Sequence, residues 1–200
     1  MEFGRTTRHS KGQYLPQSAF RALSPDTAGG RHDPLTRTLH WVFAIGIIYA
    51  TIIGYALHFI AEGQLHTALS HLNMSLASVL IVLFPIRVWW RLVRRDPPPP
   101  SGLTPAQLRP ARLIQAAIYA TIGEVLISGY LMVPKSYMLF GAITVPTPFD
   151  GNPATQKVLH LFYWAHRAGC ATLAGLVVLH VAGVIMHTVI RPIGLLRRMV

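Results

Sequence analysis

Two hundred residues, 52% hydrophobic and 12% charged with a mean hydropathy of +0.40, make a chain too apolar for an ordinary soluble domain and too short for more than one helical bundle. A formal net charge of +11 would suit a nucleic-acid binder only if the basic residues formed a patch on a soluble surface. They flank apolar stretches instead, which excludes nucleic acid and makes the lipid bilayer the first partner to consider.

Residues 1–30 mix Arg, Ser, Pro, Gly and Gln with few apolar residues, and they contain no stretch fit for a signal peptide. They read as a cytoplasmic N-terminal arm preceding a membrane domain over 31–200. Four spans follow, near Thr38–Ile60, Leu69–Leu92, Leu113–Val133 and Val158–Ile190, and they predict an all-α integral membrane four-helix bundle. Six Lys/Arg precede the first span, six run from the end of the second to the start of the third (Arg87 to Arg112), and three follow the fourth. The other two connections hold only Lys135, Lys157 and Arg167. By the positive-inside rule both termini are cytoplasmic, as is the loop joining spans two and three. That loop contains the run Pro97–Pro100, which ends the helix and acts as a spacer. The connection from Tyr137 to Gln156 is long enough to cap the outer end. The lone Cys170, between Gly169 and Ala171 on an apolar helix, reads as a packing residue.

The fourth span carries the informative spacing. His166 and His180 lie fourteen residues apart, a rotation of about 1400° and a rise of about 21 Å on a helix, so they share one face at two depths. An ionisable group inside a membrane is a functional candidate, although a single such histidine also serves simply to bond a neighbouring helix. Two on one face match the requirement of stacked haems in a four-helix bundle. An antiparallel arrangement places His40 of span one level with His180, and His71 and Asn73 of span two near the level of His166. Two neutral imidazoles on opposite faces of an iron saturate its coordination, which suits electron transfer.

The run His32–Trp41, HDPLTRTLHW, resembles the opening of the bacterial cytochrome b561 family. The stretches RVWWRL (Arg87–Leu92), YMLFGAITVP (Tyr137–Pro146) and GLLRRM (Gly194–Met199) are similar to that family's end of span two, outer loop and C-terminus. The fourteen-residue histidine separation is shared with the related b-type subunits of nickel–iron hydrogenases. The resemblance covers about residues 32 to 200 and implies a di-haem, quinone-reactive protein of the bacterial cytoplasmic (inner) membrane. It implies haem b held by His40 and His180, a second haem on His166, and ubiquinone or menaquinone as substrate, with superoxide oxidation as the best-understood activity. On this reading Arg37, Arg87 and Arg91 either neutralise haem propionates or serve only as positive-inside anchors. His187, seven residues past His180, either hydrogen-bonds a quinone head group or is an interfacial histidine.

This chain departs from the family pattern at the outer level. Asn73 stands at the expected span-two ligand position, and His71 faces about 200° away unless the helix is distorted, in concert with Pro85. Arg167 stands where the family has Glu, Gln115 where it has the span-three histidine, and Glu124 where it has an apolar residue. Two outcomes are open. The small residues Ser75, Ala77, Ala168 and Gly169 leave room for a second haem with altered ligation, or Glu124 and Arg167 form a buried charge pair in its place. The functional expectation is a membrane cytochrome passing electrons between an outer-side donor or partner subunit and the quinone pool. The superoxide version is weakened by outer loops in which Lys135 and Lys157 face Glu62 and Asp150. The alternative is an accessory subunit that keeps the fold and one haem and docks on a larger respiratory or photosynthetic complex through its basic arm.

Overall fold

In the computed structural model, which describes residues 31–94, 105–149, 152–190 and Met199, an apolar sequence pattern becomes four long helices. These are α1 (Pro34–Ala56), α2 (Gln64–Val93), α3 (Pro105–Leu131) and α4 (Gln156–Ile185), the last continued by a π-helical turn, Met186–Ile190. Each is long and apolar enough to cross a membrane. The N-terminal arm, the polyproline run and the basic stretch 191–198 lie outside the described residues.

The start of α1 is set by its own sequence. Asp33 caps the helix, its Oδ1 accepting from the Thr36 amide at 2.9 Å and its Oδ2 from the Thr36 hydroxyl at 2.6 Å, while Pro34 opens the first turn. The same cap reaches the far end of α2. The Trp90 indole donates to Asp33 Oδ1 and to Thr36 Oγ1, each at 3.1 Å. Arg94 lies 3.8 Å from Asp33 Oδ2 and 2.9 Å from His32 Nδ1. A capping motif and the end of the second span are thus one polar knot, which fixes the relative height of α1 and α2.

Helix α1 packs mainly on α2, and α3 on α4, with α2 joining the two pairs. At mid-depth Phe43, Leu80, Ile122, Leu126 and Leu173 form a core contributed by all four helices. Leu173 stands seven residues from both His166 and His180, so it lies on nearly the face they share, midway between them. The outward faces stay apolar: Ile45, Ile52, Val82, Ile127 and Val178 are each at least 61% exposed, as lipid-facing positions should be.

The long outer connection differs from a plain loop. Tyr137–Leu139 and Ile143–Val145 pair as an antiparallel hairpin, β1 and β2, rich in the aromatic and β-branched residues that favour strands. Its turn runs through Phe140 at φ 47° and Gly141 at φ 73°. The hairpin closes onto α2: Phe140 donates its amide to Ser75 Oγ at 2.9 Å, and the Tyr137 hydroxyl bonds Ser78 Oγ. The Tyr130 hydroxyl also donates to the Pro146 carbonyl at 2.7 Å.

Partial burial works against ionisation of Asp33, but hydrogen bonds from Thr36 and Trp90 and the charge of Arg94 outweigh it and hold the carboxyl below its usual range. The folded value is the depressed one, so the stabilisation is complete above the ordinary aspartate pKa and is lost only as pH falls through the folded value. Asp33→Ala is expected to destabilise the protein by about 1 kcal/mol at pH 7. In thermal melts the gap between wild type and variant should be constant from pH 8 to 5 and close below about pH 4.

Candidate functional site

The inner level of the bundle is built on α1 and α4. His40 lies seven residues, or about 10 Å, beyond Asp33, so the polar knot at the helix start sets its depth. Its ring is half-buried and meets Trp41 edge-on, with centroids 5.6 Å apart. His180 is half-buried on α4 and lies, with Arg87 and His32, within electrostatic reach of His40. Helices α1 and α4 are not among the pairs that pack extensively. Neither ring is hydrogen-bonded among the described residues.

Arg87 of α2 completes this level. Its guanidinium lies 4.9 Å from the Phe43 ring centroid and 5.3 Å from that of Tyr119, and its Nε is buried without a hydrogen-bond partner. A buried donor left unmade costs about 1–3 kcal/mol, so this position favours a ligand carrying an acceptor such as a carboxylate. Two neutral imidazoles on separated helices, with an orphaned arginine donor beside them, fit a bis-imidazole haem with its propionate toward Arg87.

The outer level is arranged differently. His166 Nδ1 lies 3.0 Å from the Val125 carbonyl, which can only accept, so Nδ1 carries the proton and Nε2 the lone pair. That Nε2 is 3.4 Å from Cys170 Sγ, one helical turn on, which gives the cysteine a polar contact beyond packing. The ring presses onto Gly129 so closely that a Cβ there would stand 2.9 Å from Cε1. Across the bundle α2 offers an amide: Asn73 is half-buried with its Oδ1 buried and unpartnered, while His71 is exposed. Helix α2 is continuous from Gln64, and Pro85 lies fourteen residues beyond His71, too far to turn its first turns. Ser75, read from the sequence as room for a macrocycle, is 1% exposed beneath the hairpin. The outer level therefore does not fit a second bis-imidazole haem.

The Glu124–Arg167 pair, one of the two outcomes left open by the sequence, is not formed. Arg167 turns toward the outer surface, bonding His58 Nε2 at the end of α1 and the Tyr163 hydroxyl at 3.0 Å. A long cationic side chain gains solvation by reaching that way. Glu124 lies instead against Gly169, its carboxylate occupying the space a Cβ at that position would need.

The remaining candidates sit apart. Arg91 lines a groove between α2 and α3, and Arg37 lines a shallow groove on α1 with Trp41 and Met199. His187 is in the π-helical turn, with Nδ1 buried and unpartnered. Sequence reasoning missed the knot of Asp33, Thr36, Trp90 and Arg94, although Asp-Pro-x-Thr is visible as a capping pattern. It also missed the contact of His166 with Cys170, which four-residue spacing on a helix would have suggested.

Residues 31–200 match the family described as prokaryotic cytochrome b561. The chain belongs to that family. Cytochrome b561 homolog 2 of Escherichia coli (strain K12) is similar to it at 27% identity over 146 residues, covering 67% of this chain and 74% of the relative. As a prokaryotic cytochrome b561, the chain is a multi-pass membrane b-type cytochrome of electron transfer, in a family that binds haem b. In this cytochrome b561 the half-buried His166 of α4 has Asn73 rather than a histidine at the expected span-two position.

Gly169→Ala is expected to destabilise the folded protein by about 1–3 kcal/mol, because the added methyl collides with Glu124 and Val125. In a double-variant cycle followed by thermal unfolding, Glu124→Ala should recover a measurable part of that loss. Additive losses would show that the carboxylate is not seated on Gly169.

Proposed function

We propose that this cytochrome b561 carries one low-spin haem b between His40 and His180 and exchanges electrons between an outer-side donor or partner subunit and the quinone pool. The bound haem supplies reversible one-electron redox chemistry. The observation that carries the reading is the inner level itself: half-buried His40 and His180 on α1 and α4, within electrostatic reach of one another, beside an Arg87 Nε that has no hydrogen-bond partner among the described residues. His40 and His180 would hold the haem iron, leaving it saturated for electron transfer. Arg87 would pair with a propionate, and Arg37 and Arg91 would keep the surrounding field positive.

His187 is the residue proposed to meet the quinone, ubiquinone or menaquinone. It lies about 10 Å beyond His180 on nearly the same face, and its buried, unpartnered Nδ1 can hydrogen-bond a quinone carbonyl. The π-helical turn that holds it is a distortion often found at functional positions. The excess of arginine at the ends of α2 and α3 supports cytoplasmic termini in a bacterial inner membrane. His71, exposed on α2, is the weakest of the proposed ligands, and His166 would bind iron only by giving up Cys170. A second reading, an accessory subunit of a larger complex, is favoured by Asn73, which denies the outer level a second imidazole. In that case the arm over 1–30 is the docking element.

Pyridine haemochrome assayed against protein mass is expected to give one haem per chain. His40→Ala and His180→Ala should each abolish the low-spin spectrum, whereas His166→Ala should leave it unchanged. Two haems per chain, with one lost in His166→Ala, would sink the single-haem reading. A chain starting at residue 31 should keep the haem spectrum while failing to join any partner complex, as judged by co-purification.

A further inference from the structure

Apart from the charge of Arg91 and the contact of Tyr119 with Arg87, the groove between α2 and α3 is not used by the redox reading. Its walls are two helical stripes, Phe84, Val88, Arg91 and Leu92 on α2 and Arg112, Gln115, Ala116, Tyr119 and Ala120 on α3. The cavity is about 410 Å³. The spacing orders it by depth. Arg91 and Arg112 stand at the end next to the connection between the helices, and Phe84 and Ala120 lie about two turns, or roughly 10 Å, deeper. The small side chains of Ala116 and Ala120 form the recess, and Leu92, 77% exposed, leaves it open to the side. Among the described residues no carboxylate lines the groove. Gln115 puts an exposed amide on an otherwise apolar stretch of α3.

We propose that this groove is a binding site for one anionic phospholipid, its phosphate held by Arg91 and Arg112 and its proximal acyl chain lying along Val88, Ala116, Ala120 and Phe84. Two guanidinium groups at a membrane interface match a phosphate monoanion in charge and in donor geometry. An apolar floor gives a free phosphate nothing, and a zwitterionic lipid brings its own cation toward the arginines. A quinone head group is neutral and makes no use of two positive charges. The Gln115 amide lies where it can serve the ester or glycerol oxygens of the same lipid.

Native mass spectrometry of the detergent-solubilised full chain, with equimolar dioleoyl-phosphatidylglycerol and dioleoyl-phosphatidylcholine, tests the site. The phosphatidylglycerol adduct is expected to dominate by about tenfold, and Arg112→Gln to remove most of that preference. Arg112→Lys should restore part of it. Ala120→Phe, which fills the deep end without touching charge, should weaken the adduct as well. Arg109→Gln removes one arginine from the same end of α3 outside the groove and should leave the preference intact. Circular dichroism verifies the helix content of each variant. Equal adducts of the two lipids in the wild type would overturn the proposal. An equal loss in Arg109→Gln would overturn it in favour of diffuse surface attraction. Displacement of the lipid by inorganic phosphate or by a short-chain ubiquinone would overturn it in favour of those occupants.

Discussion

The structure depends on the polar knot at Asp33. A helix start has four amides with no internal partner, and Asp33 with Thr36 satisfies part of that need. The same oxygens then receive Trp90 and Arg94 from the end of α2. Two spans with largely apolar faces have little to set their relative height, because one apolar contact is nearly as good as the next a turn away. Directional hydrogen bonds remove that freedom. With the start of α1 held, His40 can occupy only one depth, and the inner level of the bundle follows from it. The contact of the Trp41 indole with the Met199 carbonyl at 2.9 Å ties the described end of the chain to the same region.

Above this level the four-helix core of Phe43, Leu80, Ile122, Leu126 and Leu173 separates two chemically unlike halves. Below it, next to the polar knot, the rings of His40 and His180 and the buried Nε of Arg87 have no hydrogen-bond partner among the described residues. Above it, polar groups have largely been taken up by the protein, His166 by Val125 and Cys170, Ser75 by the hairpin and Arg167 by His58 and Tyr163. Low-dielectric surroundings make unmet polar groups expensive, so each marks a place where a ligand with a complementary atom contributes. Above the core the Asn73 amide oxygen and the hydroxyls of Tyr49 and Thr147 are also buried without a hydrogen-bond partner among the described residues.

The lipid-facing surface belongs to the same account. Apolar side chains on all four helices face outward, and the arginines other than Arg167 gather at one end of the spans. Where α2 and α3 spread apart next to that end, the two features meet in a single groove with a cationic mouth and an apolar floor. An even surface of this composition would bind lipid without selectivity, whereas a recess made by two alanines provides a shape.

The sequence by itself determined the number of spans and, through motifs such as HDPLTRTLHW, the family. The spans rest on run length and charge distribution, which are local or additive along the chain and survive without knowing any neighbour. The fourteen-residue spacing placed His166 and His180 on one face for the same reason. Only the tertiary structure decided what each face meets. The spacing could not show that His166 is held by the Val125 carbonyl or that Ser75 lies beneath Phe140. Nor could it show that Arg167 prefers His58 to Glu124, because a long side chain chooses among partners on several helices by reach and solvation. The continuity of α2 past Asn73 is likewise a tertiary result, since Pro85 permits distortion only near its own turn, and that continuity keeps His71 on the far face.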